Sequence, residues 1–322
     1  MYPAKISGVG SCVPEGKLSS RQLAEMLDVE EEWIVSRTGI EERRVAAEDE
    51  ATSDFAYAAA LRALQDASLL PEEIDLILAA TETPDHILPP LSCQLQHRLG
   101  CRPIPALDLH NTCVGFLSAL QIAEQYIKTG AHKHVLVIGA DTLTRLTDYT
   151  DKSTAILFGD GAGAVVLSRA EERQGIVATV LHSDGRHFQS LYVPGGGSRR
   201  PASAEHKNKM VMDGQKIFKL AVKSMSSALI ESLTTTGLSK EEIDWVIPHQ
   251  ANLRIMEAVA RQAAIPMEKV INTVSRYGNS CSATIPIALD TAVKDGRIKR
   301  GDRLAMLSFG AGLIWGAAIV EF

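Results

Sequence analysis

Three residues far apart in the chain carry side chains that could work together on a thioester: Cys113, His249 and Asn279. Cys113 lies in Asp108-Leu109-His110-Asn111-Thr112-Cys113-Val114-Gly115-Phe116. An apolar run ends there, and a largely apolar helix is expected to continue to about Lys128 with Gly130 as its C-cap. A thiol at a helix N-terminus faces unpaired N–H groups and the positive end of the dipole, and both favour the thiolate. His249 sits in Ile247-Pro248-His249-Gln250-Ala251-Asn252-Leu253-Arg254, between an apolar run and a helix, where side chains line crevices in α/β proteins. Asn279 follows Tyr277-Gly278, a glycine-led turn before another apolar helix. Each has a plainer reading: a core cysteine, a satisfied histidine, a helix-capping asparagine. Together they offer more. A thiolate can hold an acyl group covalently, while a histidine and an asparagine amide donate hydrogen bonds to a second carbonyl as an enolate forms. That suits carbon–carbon bond formation driven by loss of CO2. Cysteine, histidine and asparagine could also serve a hydrolase that activates water, so the residues alone leave both open.

These side chains need an α/β frame. Short apolar runs alternate with longer helical stretches. Leu76 to Ala80 and Val135 to Ile138 are wholly apolar, as strands buried on both faces should be. Ala164-Val165-Val166-Leu167, Trp245-Val246-Ile247 and Leu304-Ala305-Met306-Leu307 read the same way. Thr52 to Ser68 and Phe218 to Leu233 carry helical spacing. Ser239 stands three residues before Glu242, the start of a short capped helix.

A repeat runs through the chain. Glu72-Glu73-Ile74-Asp75 followed by an apolar strand recurs 169 residues later as Glu241-Glu242-Ile243-Asp244. Ala119-Leu120 with Ala123 recurs at the same offset as Ala288-Leu289 with Ala292. Two matches at one offset, in the same element order, indicate an internal duplication with halves at 1–170 and 171–322. Cys113 maps onto Ser282, inside Gly278-Asn279-Ser280-Cys281-Ser282. A ligand is expected at the crevice where the halves meet.

Composition narrows the partners. The chain has 322 residues, 45% hydrophobic and 22% charged, which is ordinary for a globular protein. Aromatics at 5% and a net charge of −6 argue against nucleic acid. Five cysteines form no disulfide framework and fit a reducing compartment; apart from Cys113, they need no chemical role. Neither a signal peptide nor a membrane-spanning run is present, so a soluble, cytoplasmic protein is expected. Gly159-Asp160-Gly161-Ala162-Gly163 lacks the spacing and helix of a nucleotide loop, and no cysteine–histidine set has zinc spacing.

From Ile6 to Phe322 the chain resembles the β-ketoacyl-acyl-carrier-protein synthase III family of the thiolase fold. The resemblance is carried by Glu32-Trp33-Ile34 with Arg37-Thr38-Gly39-Ile40, Cys113-Val114-Gly115-Phe116 and Phe158-Gly159-Asp160-Gly161-Ala162-Gly163. His249 to Arg254, Gly278-Asn279-Ser280 and Trp315-Gly316 complete it. It implies a duplicated, five-layered α-β-α-β-α fold. It also implies Cys113 as nucleophile, His249 and Asn279 as enolate stabilisers, and an oxyanion hole from the N–H groups of Cys113 and Ala311. Coenzyme A is implied to meet Trp33, Arg37, Thr38, Lys152, Gly214, Phe218, Ala251 and Asn252. Lys219, Arg254 and Arg261 resemble the patch that receives an acidic carrier protein. A homodimer follows, with Leu88 reaching the neighbour's acyl pocket, and no cofactor beyond the acyl-CoA and malonyl-carrier-protein substrates.

Four positions depart from the family pattern: Thr112 for alanine, Lys152 for arginine, Ala311 for glycine and Leu88 for phenylalanine. Lysine lacks a planar face to stack on adenine, so contact at Lys152 should weaken. Leu88 should leave room for branched or medium-chain primers. A thiolase would need a second cysteine as base where this chain has Ser308, which counts against it. An acyltransferase or condensing enzyme of specialised metabolism, and a non-catalytic carrier-binding module, are the remaining alternatives.

Overall fold

The computed structural model describes residues 1–171, 175–203 and 208–322. The expected runs form strands because they are buried on both faces. Leu76–Ala80 is buried throughout, and so are all nine residues of His134–Thr142. They belong to a five-stranded sheet in the order Ala4–Cys12, Asp160–Arg169, His134–Thr142, Leu76–Ala80, Ala106–Leu109. A four-stranded sheet runs Trp245–Pro248, Arg303–Gly310, Ile314–Glu321, Gly175–Ser183.

Helices Gly115–Lys128 and Thr284–Lys294 lie between the sheets, and their apolar side chains merge with both sheets into one core. Thr52–Asp66 covers the outer face of the first sheet through Ala56, Ala59, Ala60 and Ala63. Gly214–Thr236, backed by Leu253–Ala263, covers the outer face of the second. The result is the five-layered α-β-α-β-α arrangement of an α/β fold.

The offset of 169 holds at the level of single bonds. The strands beginning at Leu76 and His134 are matched by those beginning at Trp245 and Arg303, and the helix at Gly115 by that at Thr284. His134 N–H donates to Asp75 Oδ2 (3.0 Å), and Arg303 N–H to Asp244 Oδ2 (2.8 Å). Leu70 N–H donates to Glu73 and Ser239 N–H to Glu242, so each short 3-10 turn is tied in the same way. The sheets interlock through two equivalent turns. Thr112–Val114 packs on strand Arg303–Gly310, and Cys281–Ala283 packs on His134–Thr142. This second contact is close: a Cβ at Gly139 would stand 2.4 Å from the Ser282 carbonyl oxygen. The crossed packing brings the turns that carry Cys113 and Cys281 together between the sheets.

Candidate active site

Cys113 sits in the 3-10 turn Thr112–Val114, which runs directly into helix Gly115–Lys128. Its N–H belongs to the first turn, where backbone donors lack helical partners. Thr112 holds a left-handed backbone (φ 47°) and presents the cysteine at the bend. Three bonds fix the turn. Thr112 N–H donates to Glu82 Oε1 (2.6 Å), Thr112 Oγ1 to the Ala311 carbonyl (3.2 Å), and Ser308 Oγ to the Cys113 carbonyl (2.7 Å). Gly310 is glycine because its strand touches this turn: a Cβ there would lie 2.4 Å from Thr112 Oγ1 and 3.0 Å from Cys113 N.

His249 follows strand Trp245–Pro248, its N–H bonded to the Leu307 carbonyl (2.7 Å). Its Nδ1 is 2.6 Å from Thr284 Oγ1, which in turn donates to the Cys281 carbonyl (3.0 Å). The Thr284 hydroxyl thereby ties the imidazole to the Cys281 carbonyl and sets the ring orientation. Asn279 is pinned by backbone bonds to Leu157 and Gly159, and its Oδ1 accepts the Cys281 N–H (2.9 Å). The NH2 end of the amide is thereby left as its donor end.

Cys281 is the neighbour that sequence reasoning missed. Its sulfur lies 3.6 Å from that of Cys113, so one of the cysteines expected to need no chemical role stands directly beside it. The Cys281 thiol hydrogen-bonds Cys113 and lowers its pKa well below the usual thiol range. The charge and hydrogen bond of His249 act in the same sense, against the cost of burial. The Cys281 thiol is held well above that range by the same bond and by burial. Two carboxyls flank the site, Asp141 fully buried and Glu82 partly so, the latter against His110 Nε2. Burial, with the charge of Asp141, pushes Glu82 up to about 9. Burial pushes Asp141 up to about 7 against hydrogen bonds from Ser282 and the Glu82 N–H.

A tunnel with about 880 Å³ of empty space, its mouth included, ends on Cys113, His249 and Asn279. Six residues expected to meet coenzyme A line it: Arg37, Thr38, Gly214, Phe218, Ala251 and Asn252. Asn252 joins two of its walls. Its Nδ2 donates to the Arg37 carbonyl (2.9 Å), and its Oδ1 caps helix Leu253–Ala263 at Arg254 N–H (2.8 Å). Trp33 is outside the lining, with the Arg37 guanidinium 4.4 Å above its ring. Lys152 is also outside. It is exposed and bonded to the Asp28 carbonyl, while its neighbour Ser153 faces the tunnel. Lys219, Arg254 and Arg261 are all exposed, on two helices that pack together. Ala311 borders a second, open cavity beyond Cys113 and Cys281, about 2150 Å³ including solvent. Leu88 is 78% exposed and lines neither cavity, while its neighbour Ile87 borders the second.

Fold and site together define a condensing enzyme of thiolase-like architecture. Two family profiles match, 3-oxoacyl-[acyl-carrier-protein] synthase III over residues 107–185 and its C-terminal region over 233–322. A curated β-ketoacyl-[acyl-carrier-protein] synthase III of Xanthomonas axonopodis pv. citri is 47% identical, over 99% of this chain and 98% of that protein. That of Alkalilimnicola ehrlichii is also 47% identical, over the full length of both. The solved 3-oxoacyl-[acyl-carrier-protein] synthase III of Aquifex aeolicus superposes with a TM-score of 0.94, at 42% identity and over 99% of this chain and 100% of that one. The chain belongs to the β-ketoacyl-acyl-carrier-protein synthase III family and is an acyl-transferring condensing enzyme of fatty acid biosynthesis. Among the described residues no helix is long and apolar enough to cross a membrane.

Proposed function

We propose that this enzyme joins an acyl-CoA primer to malonyl-acyl-carrier protein by decarboxylative condensation, with Cys113 as nucleophile. The observation that carries the reading is the single tunnel from Arg37 and Asn252 to Cys113, His249 and Asn279. The Cys113 thiolate attacks the thioester carbonyl, and coenzyme A leaves as its thiolate and takes a proton. The N–H groups of Cys113 and Ala311 hold the developing oxyanion. The malonyl thioester then enters, loses its carboxylate as CO2 and keeps the electron pair as an enolate. Hydrogen bonds from His249 and the Asn279 NH2 group receive the enolate oxygen. Its α-carbon attacks the acyl carbonyl, and the Cys113–acyl bond breaks to return the thiolate. No cofactor is called for.

Lys219, Arg254 and Arg261 form the landing surface for an acidic carrier protein at the tunnel mouth, where local positive charge steers a partner despite the net −6. Trp33 and Lys152 serve the adenine end of coenzyme A. We infer a homodimer: strand Ala106–Leu109 is the edge of its sheet with Leu107 46% exposed, and Ile87 and Leu88 stand 93% and 78% exposed. Leu88 then admits branched or medium-chain primers to the neighbouring pocket. The duplicated halves are 1–170 and 171–322, and the site of action is the cytoplasm. Intact-mass measurement after acyl-CoA addition, followed by CO2 release from malonyl-carrier protein, tests the reaction. An acyl adduct on Cys113 and CO2 release are expected; an adduct without CO2 release would indicate a simple acyltransferase. A panel of acyl-CoAs tests the primer, and strict acetyl-CoA preference would contradict the role given to Leu88.

A further inference from the structure

Two cysteines 168 residues apart in sequence meet in the active site with their sulfurs 3.6 Å from one another. Both are buried, and both border the open cavity beyond the nucleophile, so a small solute reaches them. The meeting follows from the duplication. Thr112 and Cys281 are equivalent positions at the offset of 169, and both hold a left-handed backbone, φ 47° and 51°. The first half uses this bend to present Cys113, and the second half presents another thiol at the bend itself. The backbone on each side is held without using either sulfur, by Ser308 Oγ on the Cys113 carbonyl and Asn279 Oδ1 on the Cys281 N–H. Disulfide sulfurs stand at ~2.05 Å, so the pair needs to close by roughly 1.5 Å, a distance side-chain rotation can supply.

We propose that Cys113 and Cys281 form a resolving pair, a reversible modification site at which peroxide oxidation of Cys113 ends in a Cys113–Cys281 disulfide. The Cys113 thiolate attacks one oxygen of hydrogen peroxide. An S–O bond forms, the O–O bond breaks, and hydroxide leaves, giving the sulfenic acid. The Cys281 sulfur then attacks the Cys113 sulfur. An S–S bond forms, the S–O bond breaks, and the departing hydroxyl leaves as water with the Cys281 proton. Two electrons pass from the thiols to peroxide. Without a second thiol within reach, further peroxide carries a sulfenic acid on to sulfinic acid, which dithiols do not reverse. With Cys281 at 3.6 Å, a dithiol reductant restores both cysteines. An acyl group on Cys113 blocks the first step. The inference rests on the Cys113 thiolate used above for acylation.

The test is peroxide treatment of the reduced full-length protein, read by intact mass and peptide mapping. Wild type should lose two hydrogen atoms, give joined Cys113 and Cys281 peptides, and recover both thiols with dithiothreitol. Cys281→Ser should give no joined peptide, with Cys113 proceeding to the sulfinic acid. Wild type acylated beforehand should give no joined peptide either, which tests the pair even if the variant fails to fold. Sulfinic acid on wild-type Cys113 with Cys281 still a thiol would overturn the proposal, as would joining of Cys113 to Cys12, Cys93 or Cys101. An acyl-CoA adduct on reduced Cys113 without any joined peptide after peroxide would overturn the pair and leave the nucleophile standing. A joined peptide without an adduct would support the pair and remove the acylation reading.

Discussion

Replacing Thr284 with valine removes one hydroxyl and keeps the shape of a buried side chain. In the structure that hydroxyl is 2.6 Å from His249 Nδ1 and donates to the Cys281 carbonyl at 3.0 Å. The valine variant leaves His249 Nδ1 without its hydrogen-bond partner and lets the ring turn. A hydrogen bond to a group that carries charge during the reaction contributes about 1.5–3 kcal/mol, which corresponds to roughly a tenfold to hundredfold change in rate. The loss should fall on the step that needs a fixed imidazole. CO2 release from malonyl-carrier protein should slow by that factor. Acylation of Cys113 should slow less, because Cys281 and the helix N-terminus still favour the thiolate. Thr284→Ser keeps the hydroxyl and should restore decarboxylation to near the wild-type rate. Stopped-flow acylation and CO2 release, measured separately on purified protein, give the two rates. A valine variant within twofold of wild type in CO2 release would refute the reasoning, as would equal losses in both steps.

Two further outcomes follow from the same contacts. Glu82 is held protonated to about 9, whereas an unfolded chain ionises it near 4.5. The stability of its neutral form is full below the unfolded value and is lost as pH rises through the folded one, at about 1.4 kcal/mol per pH unit between them. Glu82→Gln removes that slope, so denaturant titrations from pH 6.5 to 8.5 should show the variant gaining roughly 2–3 kcal/mol on wild type; parallel pH curves would contradict this. Gly310→Ala drives a methyl group against Thr112 Oγ1 and Cys113 N. It should cost about 1–3 kcal/mol of stability and slow acylation roughly a hundredfold. An acylation rate equal to that of wild type would show that the turn yields freely.

What the sequence discloses divides along the line between local and crossed contacts. Leu76–Ala80 was readable to the residue because a strand buried on both faces is an unbroken apolar run bounded by Asp75 and Thr81. Ala106–Leu109 escapes such reading, since as an edge strand it carries Asp108 and leaves Leu107 exposed. Cys113, His249 and Asn279 stand at chain punctuation, a helix start, a strand end and a glycine turn, and that marks them in one dimension. Glu82, Cys281 and Thr284 carry no such mark. They matter through partners 30, 168 and 35 residues away, brought to them by the packing of Thr112–Val114 on Arg303–Gly310 and of Cys281–Ala283 on His134–Thr142. The repeat held the missing clue. The offset that takes Cys113 to Ser282 takes Thr112 to Cys281, and so points at the thiol beside Cys113.

The proposed reaction divides the labour between Cys113, which takes the acyl group, and the pair His249 and Asn279, which serve decarboxylation. Its most direct test compares CO2 release from malonyl-carrier protein with acyl-adduct formation in Cys113→Ala, His249→Ala and Asn279→Ala. Cys113→Ala should form no adduct, while His249→Ala and Asn279→Ala should be acylated on Cys113 and fail to release CO2. Equal loss of acylation in all three would contradict the account.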